Sequence, residues 1–539
     1  MARTPQRWDI EDQDFWESTG KSIATRNLWV SIPNLLCGFA VWLYWGMLAK
    51  IIQKVHFANP DLFNFTFMNE GEPYDVKGYK TLMYTLPAVA GLAGATLRIP
   101  NSFMIAICGG RNVKFMTTVL LIIPAFLTGL ALRDPATPFY VYIILAAMSG
   151  VGGGAFASSM SNISFFFPKK MQGLALGLNA GLGNLGVSVM QFLIPWVIIT
   201  KGLFGEFGGD PQSLSADSQL WVQNAAFVWV PIMTVLAVLA GLFMNNLPQH
   251  DCGPTPVAIG KYLWLQLLGF LGAGIGVLLL VFVKMPIPEL VRIFLVVAAA
   301  VVSTLLLMRF MTPQTIQAPL KKQFAIFNNK HTWVMTWLYT MTFGSFIGYA
   351  AAFPKLLDDI FVTPTNGLIT SNYIWIGVAV GALIRPVGGW LSDKLGGARV
   401  TQWDTWVMVA STILAGYFVS LAGQEAAITD DAGAVIGHPE KYFIPFLLTF
   451  IVLFATTGIG NGSTFRMIPF IFSKDQAGPV LAWTSAIAAY GAFLIPKVFA
   501  TQIKAGTPQY ALYGFAVYYA SCLAVNWWFY ARKGAEIKC

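Results

Sequence analysis

The chain has 539 residues, of which 56% are hydrophobic and 11% are charged, and its formal net charge is +9. A soluble domain carries about 25% charged residues, so this composition excludes an ordinary soluble protein. Apolar runs long enough to cross a bilayer as helices indicate a polytopic α-helical membrane protein. The five cysteines are scattered and show no CxxC or Cys/His spacing, which argues against a disulfide framework or a metal site.

The predicted elements begin after a polar segment of mixed charge, residues 1–27, which has no signal-peptide core and is expected to be cytoplasmic. Fourteen apolar spans follow, near 28–49, 80–108, 113–133, 138–166, 171–200, 222–246, 261–283, 289–311, 331–354, 369–392, 401–423, 443–472, 478–501 and 509–531. We interpret 28–246 and 331–539 as two six-helix bundles. Residues 247–330 would be an inserted helix pair with cytoplasmic linkers.

The distribution of charge predicts the orientation of these spans. With the N-terminus in the cytoplasm, the inner loops carry an excess of lysine and arginine, as the positive-inside tendency requires. We therefore expect a multi-pass inner-membrane protein with both termini in the cytoplasm. The basic net charge then reflects the topology in the lipid membrane. We therefore expect membrane lipid, and no nucleic acid, as a partner.

Two arginines lie deep inside apolar spans, in matching local patterns. Arg98 follows Gly94 and precedes Gly109-Gly110, while Arg385 follows Gly381 and precedes Gly396-Gly397 at the same spacing. A guanidinium at membrane depth costs about 2.5–3.5 kcal/mol or more, so such residues are functional candidates. We expect no acidic residue in any of the spans, so that nothing there would neutralise them. Two unpaired cations facing one cavity predict a site for an anion.

A second duplication supports two repeats. The glycine run that begins at Gly150 and ends at Phe156 is similar to the run from Gly458 to Phe465. Two parallel six-helix repeats are the architecture of major facilitator transporters, whose substrate binds between the halves. The loop that joins the second arginine's span to the next one resembles the signature loop of that superfamily, through Gly389, Asp393, Lys394, Gly397 and Arg399. Here Asp393 could cap a helix or pair with a cation.

The most glycine-rich span, 171–200, leaves one helix face almost bare. Its glycines include Gly177, Gly181, Gly183 and Gly186, and the same segment carries Asn179 and Asn184. Such a face lets either another helix or a small ligand approach the backbone. For the asparagines, packing and substrate contact both remain open. Arg466 has no counterpart in the first half, and we expect it to reach the headgroups or make a structural contact.

Several segments together resemble NarK-type nitrate/nitrite porters. They are residues 155–168, the glycine-rich helix, Arg26–Trp29, Thr342–Gly348 and Ile495–Lys497, and the similarity extends over nearly all of both halves. The resemblance implies that Arg98 and Arg385 bind nitrate or nitrite, with no cofactor and with a monomeric transport unit. It further implies that Phe156 and Phe343 enclose the planar anion, and that Tyr339, Asn184, Asn179 and Ser485 contribute polar contacts.

Two features depart from that family pattern. Residues 482–491 are rich in alanine where the family has glycine, although Ser485 retains the hydroxyl. The inserted pair 261–311 brings the number of helices above the twelve that are usual in the family. We expect a peripheral or assembly role for this pair.

The transport mechanism is predicted from the same residues. Two permanent cations without a titrating group in the membrane favour obligatory exchange of nitrate for nitrite, since the empty site would reorient reluctantly. Nitrate/proton symport remains an alternative, and a small-anion channel is the alternative from another class. An enzyme is disfavoured, because the spans show no nucleophile–base or metal-ligand constellation.

Overall fold

The computed structural model describes every residue except 1–3, 70, 216–217, 251, 284, 315, 318–320, 322–323, 364–365 and 431–434. Several of these residues belong to the predicted segment 247–330. At those positions the predicted linkers lie outside the described residues. The described chain is mostly helical, as the apolar runs predict.

The first half is built from eleven helical segments. They are α1 (Gln13–Phe15), α2 (Lys21–Leu43), α3 (Trp45–Ala58), α4 (Val76–Met83), α5 (Thr85–Asn101), α6 (Met104–Cys108), α7 (Gly110–Arg133), α8 (Phe139–Ser164), α9 (Lys169–Val197), α10 (Asn224–Phe227) and α11 (Trp229–Phe243). A π-helical turn, Trp16–Gly20, joins α1 to α2. A short antiparallel hairpin, β1 (Gln212–Ser215) and β2 (Ser218–Leu220), lies in the loop before α10.

Two long helices separate the halves, α12 (Thr255–Val281) and α13 (Glu289–Phe310). Helix α12 packs along α5 and α13 packs on α12. Tyr262 on α12 shares a hydrogen bond of 2.9 Å with Thr117 on α7. Large apolar side chains such as Leu278 and Phe294 remain exposed on the outer faces. The inserted pair therefore lies against the flank of the first half.

The second half comprises α14 (Lys330–Tyr339), α15 (Ser345–Phe361), α16 (Ile374–Leu383), α17 (Arg385–Leu395), α18 (Gly397–Ala426), α19 (Phe443–Ile471), α20 (Lys474–Ala488), α21 (Gly491–Lys504) and α22 (Gln509–Asn526). A π-helical turn, Thr340–Gly344, joins α14 to α15, and another, Trp527–Ala531, follows α22. Wider turns of this kind occur often at functional sites.

Twelve helical stretches in the described residues are long and apolar enough to cross a membrane. The predicted spans 331–354 and 509–531 are helical but are not among those twelve. The count of fourteen spans therefore stays a prediction.

The two glycine runs allow close packing against the helices that precede or carry Arg98 and Arg385. A Cβ on Gly153 of α8 would lie 2.7 Å from the Gly94 Cα atom on α5, and a Cβ on Gly458 of α19 would lie 2.2 Å from the Gly381 carbonyl oxygen on α16. Contacts this close exclude any side chain. Each glycine run therefore packs directly against the helix that leads to an arginine.

Candidate functional site

Arg98 is completely buried between the two halves. Its Nε atom donates to the carbonyl oxygen of Gly153 at 2.8 Å, and its Nη1 atom donates to the carbonyl oxygen of Ser485 at 3.1 Å. Its Nη2 atom is buried and has no hydrogen-bond partner among the described residues. The guanidinium is therefore oriented by two backbone carbonyls while one donor group remains available.

Arg385 is the matching residue of the second half, and it is the first residue of α17. It is 6% exposed, and its Nη2 atom donates to the Tyr339 hydroxyl at 3.0 Å. Its Nη1 atom is buried and without a partner in the described part of the chain. Neither arginine forms an ion pair with a carboxylate of a described residue, so an anion from outside could be bound by both.

Aromatic rings connect the two guanidiniums. The rings of Phe156 and Phe343 stack across the halves, with centroids 5.5 Å apart and planes 23° apart. The Arg98 Cζ atom lies 4.7 Å from the Phe156 centroid and 4.9 Å from the Phe343 centroid. The Arg385 Cζ atom lies 5.8 Å from the Phe343 centroid, and the Tyr339 ring stacks on that same phenylalanine at 5.6 Å. Five of the predicted site residues are thus neighbours.

Phe465 also belongs to this cluster, although its sequence pattern alone did not predict a role at the site. Its ring centroid lies 5.6 Å from the Arg385 Cζ atom and 4.7 Å from the Tyr339 ring. The signal was present, since Phe465 ends the second glycine run as Phe156 ends the first.

The three remaining polar candidates differ in their surroundings. Asn179 donates to the Ser159 hydroxyl at 3.0 Å, which is a packing contact between α9 and α8. Asn184 is buried, its Oδ1 atom has no partner among the described residues, and it forms no hydrogen bond there with either arginine. Ser485 contacts Arg98 through its carbonyl, while its hydroxyl is buried and likewise unpartnered.

The glycines of α9 divide into two groups. A Cβ on Gly183 would lie 2.6 Å from Leu35, and a Cβ on Gly186 would lie 2.0 Å from the Leu36 carbonyl oxygen, so these two allow α2 to approach. A Cβ on Gly181 would meet the Ala382 carbonyl oxygen of the other half at 3.5 Å, and a Cβ on Gly177 would meet nothing within 4 Å. The bare face therefore serves helix packing at one end and faces the opposite half at the other.

The signature loop of the second half holds the end of α17 to α19. Asp393 pairs with Arg466, which gives Arg466 the structural contact expected of it. Asp393 does not cap the next helix, because the N-cap of α18 is Gly396, with a φ of +89°. Lys394 lies 4.2 Å from the Trp390 ring centroid. Within the same motif, a Cβ on Gly389 would meet nothing within 4 Å, Gly397 packs against Met467, and Arg399 is exposed.

A buried network of charges, not foreseen from the sequence, joins the halves at the end opposite the Gly109 and Gly396 turns. The Lys355 Nζ atom lies 2.7 Å from the Asp359 Oδ2 atom and donates to the Gln53 Oε1 atom at 2.6 Å. Lys50 pairs with Asp358 at 3.1 Å and donates to Thr370 at 2.8 Å, and Lys80 lies 3.6 Å from Asp359. The chain offered a signal in Lys355, Asp358 and Asp359, which share a helix face at the end of a span.

The expectation that no span contains an acidic residue is wrong. Asp404 lies within the predicted span 401–423 and on α18, where it is 6% exposed. Asp404 does not neutralise the arginines because of its position. It borders Gly460 and Thr342, behind the turn that carries Phe343. One premise of the obligatory-exchange prediction therefore fails.

Comparison with curated proteins shows relatives over nearly the whole chain. The chain is 34% identical to the probable nitrate/nitrite antiporter NarK2 of Thermus thermophilus over 537 residues, which cover 99% of this chain and 97% of the relative. It is 34% identical to the nitrate/nitrite transporter NarU of Salmonella typhimurium and 32% identical to NarU of Escherichia coli, each match covering 98% of this chain and 96% of the relative. No family model matches the chain.

Solved structures agree on the fold. The human organic anion transporter MFSD10 aligns with a TM-score of 0.53 at 12% identity, covering 94% of this chain and 99% of that protein. The xylose transporter XylE of Escherichia coli aligns with a TM-score of 0.51 at 12% identity, covering 95% and 99%. These likenesses confirm the predicted major facilitator fold. With relatives above 30% identity along its full length, the chain belongs to the NarK/NarU family of nitrate/nitrite transporters.

Proposed function

We propose that this protein carries nitrate inward and nitrite outward across the cell membrane, with both termini in the cytoplasm, by exchanging the two anions at a site between Arg98 and Arg385. The observation that carries the proposal is the pair of buried guanidiniums, one from each half, each with a buried donor that lacks a partner among the described residues. Relatives named as nitrate/nitrite antiporters and transporters support the choice of anion.

The chemistry of the site suits a small planar oxyanion. Guanidinium is itself planar, stays charged at any relevant pH and offers a fork of donors. The centroids of the stacked Phe156 and Phe343 rings lie 5.5 Å apart. An anion in van der Waals contact with both faces needs about 7–8 Å between them, so the rings would part by roughly 2 Å. A tetrahedral ion such as sulfate would require more, which gives selectivity for flat ions.

Alternating access follows from the contacts between the halves. The network around Lys355 and Asp359 would close one end of the pathway, and it would have to break when that end opens. At the site itself, two like charges with no carboxylate partner among the described residues repel each other when no anion is bound. A bound nitrate or nitrite compensates this repulsion equally well in both directions. Movement of the loaded site should therefore be faster than movement of the empty one.

Flux measurements in proteoliposomes test this function. Uptake of labelled nitrate at zero pH gradient is expected to be much faster into nitrite-loaded vesicles than into anion-free vesicles. Arg98→Gln and Arg385→Gln should each abolish it. Arg309→Gln is the matched control, because Arg309 is exposed on the inserted helix α13. Nitrate uptake that is equally fast with and without internal nitrite would refute exchange, and a flux that never saturates would favour a channel.

A further inference from the structure

Asp404 is an acidic group inside the second half that the exchange scheme leaves without a role. It lies eight residues into the 30-residue helix α18 and is 6% exposed. Its Oδ2 atom is shielded from solvent and receives no hydrogen bond from any described residue. A carboxylate in the interior of a membrane protein is costly and is a functional candidate by default.

Among the described residues, the wall around Asp404 supplies no compensating donor. A Cβ on Gly460 would lie 2.7 Å from the Asp404 Oδ2 atom and 2.5 Å from the Thr342 Cγ2 atom, so the carboxyl group and the threonine methyl lie beside the same bare patch of α19. Neighbouring hydroxyls have other partners. Thr464 donates to the Gly460 carbonyl oxygen at 2.7 Å, and Thr405 donates to the carbonyl oxygen one turn before it at 2.6 Å.

The cationic side chains on the helices packed against α18 also have other partners, and Lys394 on α17 lies over the Trp390 ring. Arg385 binds Tyr339, Arg466 pairs with Asp393, and Lys355 pairs with Asp359. Tyr519 on α22 shares hydrogen bonds with Ser345 and Tyr349. On α18 itself, Arg399 is exposed, and Glu425, near the far end of the helix, accepts from the His438 amide. Among the described residues, Asp404 thus has no cationic partner.

The physical consequence is that the conformation described here favours the protonated form of Asp404. An ionised carboxylate without a hydrogen bond or a counter-charge pays a desolvation penalty so large that the neutral acid replaces it. A conformation that brings water or a donor to the Oδ2 atom would favour the Asp404 carboxylate. Proton binding and conformation are therefore linked. Binding of the proton favours the described conformation, and a conformation that brings water to the Oδ2 atom favours release of the proton.

Helix geometry connects this proton to the anion site. Thr342, beside the Asp404 carboxyl, and Phe343, beside both arginines, are consecutive residues of the π-helical turn Thr340–Gly344. The Thr342 hydroxyl contacts the Tyr339 carbonyl oxygen at 3.3 Å, and the Tyr339 hydroxyl receives the hydrogen bond from Arg385. A movement of this turn that parts the Phe156 and Phe343 rings also moves the wall of the Asp404 pocket.

We infer that Asp404 is a proton-binding residue of the transport cycle, through which the carrier can take up nitrate together with a proton when no nitrite is available for exchange. The inference rests on the proposed function, since it concerns the same anion site. One proton joins one carboxylate oxygen and leaves it again on the other side, with no electron transfer. One proton moving with one nitrate carries no net charge.

Two vesicle preparations separate this inference from the function on which it rests. Nitrite-loaded vesicles report exchange by uptake of labelled nitrate. Anion-free vesicles that enclose a pH-sensitive dye report proton entry when nitrate is added outside. In both, wild type is compared with Asp404→Asn, which carries no titratable group, and with the matched control Asp61→Asn, an exposed loop position.

We expect wild type and Asp61→Asn to show both activities. Asp404→Asn should keep exchange and lose nitrate-dependent proton entry by a factor of about ten or more, since no group remains to carry the proton. Asp404→Ser, whose hydroxyl can donate to its own helix backbone, should behave in the same way and serves if the asparagine variant does not fold.

Three outcomes have distinct meanings. Absence of exchange in wild type would refute the proposed function. Exchange in wild type without any nitrate-dependent proton entry would refute the inference and needs no variant. Proton entry that is unchanged in folded Asp404→Asn or Asp404→Ser would also refute it, because the proton would then travel by another group.

Discussion

The buried charge network between the halves allows a sharp test of how the transporter closes. Lys355 is 1% exposed and the Asp359 side chain is fully buried, so the Lys355 charge depends on Asp359 for compensation. Asp359→Asn leaves the Lys355 ammonium with its bond to Gln53 and no carboxylate in direct contact. Removing one partner of a buried pair costs about 3–5 kcal/mol. The closed arrangement of this end should therefore lose about 100-fold or more relative to the open one.

Accessibility of a cysteine at this end measures that shift. Ser188 on α9 donates to the Trp375 carbonyl oxygen of the other half at 2.9 Å and is 5% exposed, so Ser188→Cys reports separation of the halves. Maleimide labelling of this cysteine, in a variant without the five native ones, should rise strongly with Asp359→Asn. The double change Lys355→Met with Asp359→Leu removes both charges and should return labelling towards the starting level, because replacing a buried pair by apolar residues is often neutral. Equal labelling in all three backgrounds would refute the reasoning.

The remaining predictions concern the anion site and a loop histidine. Tyr339→Phe removes the hydroxyl that accepts from Arg385. Because a hydrogen bond to a charged group contributes roughly 1.5–3 kcal/mol, nitrate KM should rise by about tenfold or more, and an unchanged KM in flux assays would contradict this role. Phe343→Ala removes the ring shared by both arginines, and competition by tetrahedral anions against labelled nitrate should increase, whereas loss of all transport with intact discrimination would speak against a selective ring. Burial against Phe165 lowers the pKa of His250, in the loop after α11, to about 4. Because this folded-state pKa lies below the ordinary value near 6.5, the stabilisation is complete above about pH 6.5 and is lost as pH falls towards 4. Thermal unfolding should show wild type losing up to about 2 kcal/mol between pH 7 and pH 5 relative to His250→Gln, and parallel losses in the two proteins would contradict it.

The two arginines of the candidate site could be predicted from local sequence patterns. Arg98 and Arg385 stand out because a cation in an apolar run is expensive, and their equal distances to a following Gly-Gly pair mark equivalent positions. Phe156, Phe343 and Tyr339 were identified through family resemblance, and all three lie at the arginines. Asn179 instead makes a packing contact with Ser159, which the sequence left open because a buried amide serves either purpose.

The sequence by itself determined the membrane class, the duplicated architecture and the two arginines, since these depend on apolar run length and on patterns within a few tens of residues. Only the tertiary structure decided which charges are compensated. Lys50 donates to Thr370 across 320 positions of sequence, so the network that joins the halves exists only once the two bundles have packed together. Asp404 shows the converse, because its sequence neighbours do not reveal that the helices packed around it supply no donor to its Oδ2 atom among the described residues. The energy of a charge inside a membrane protein depends on those distant partners, and therefore the fold assigns it.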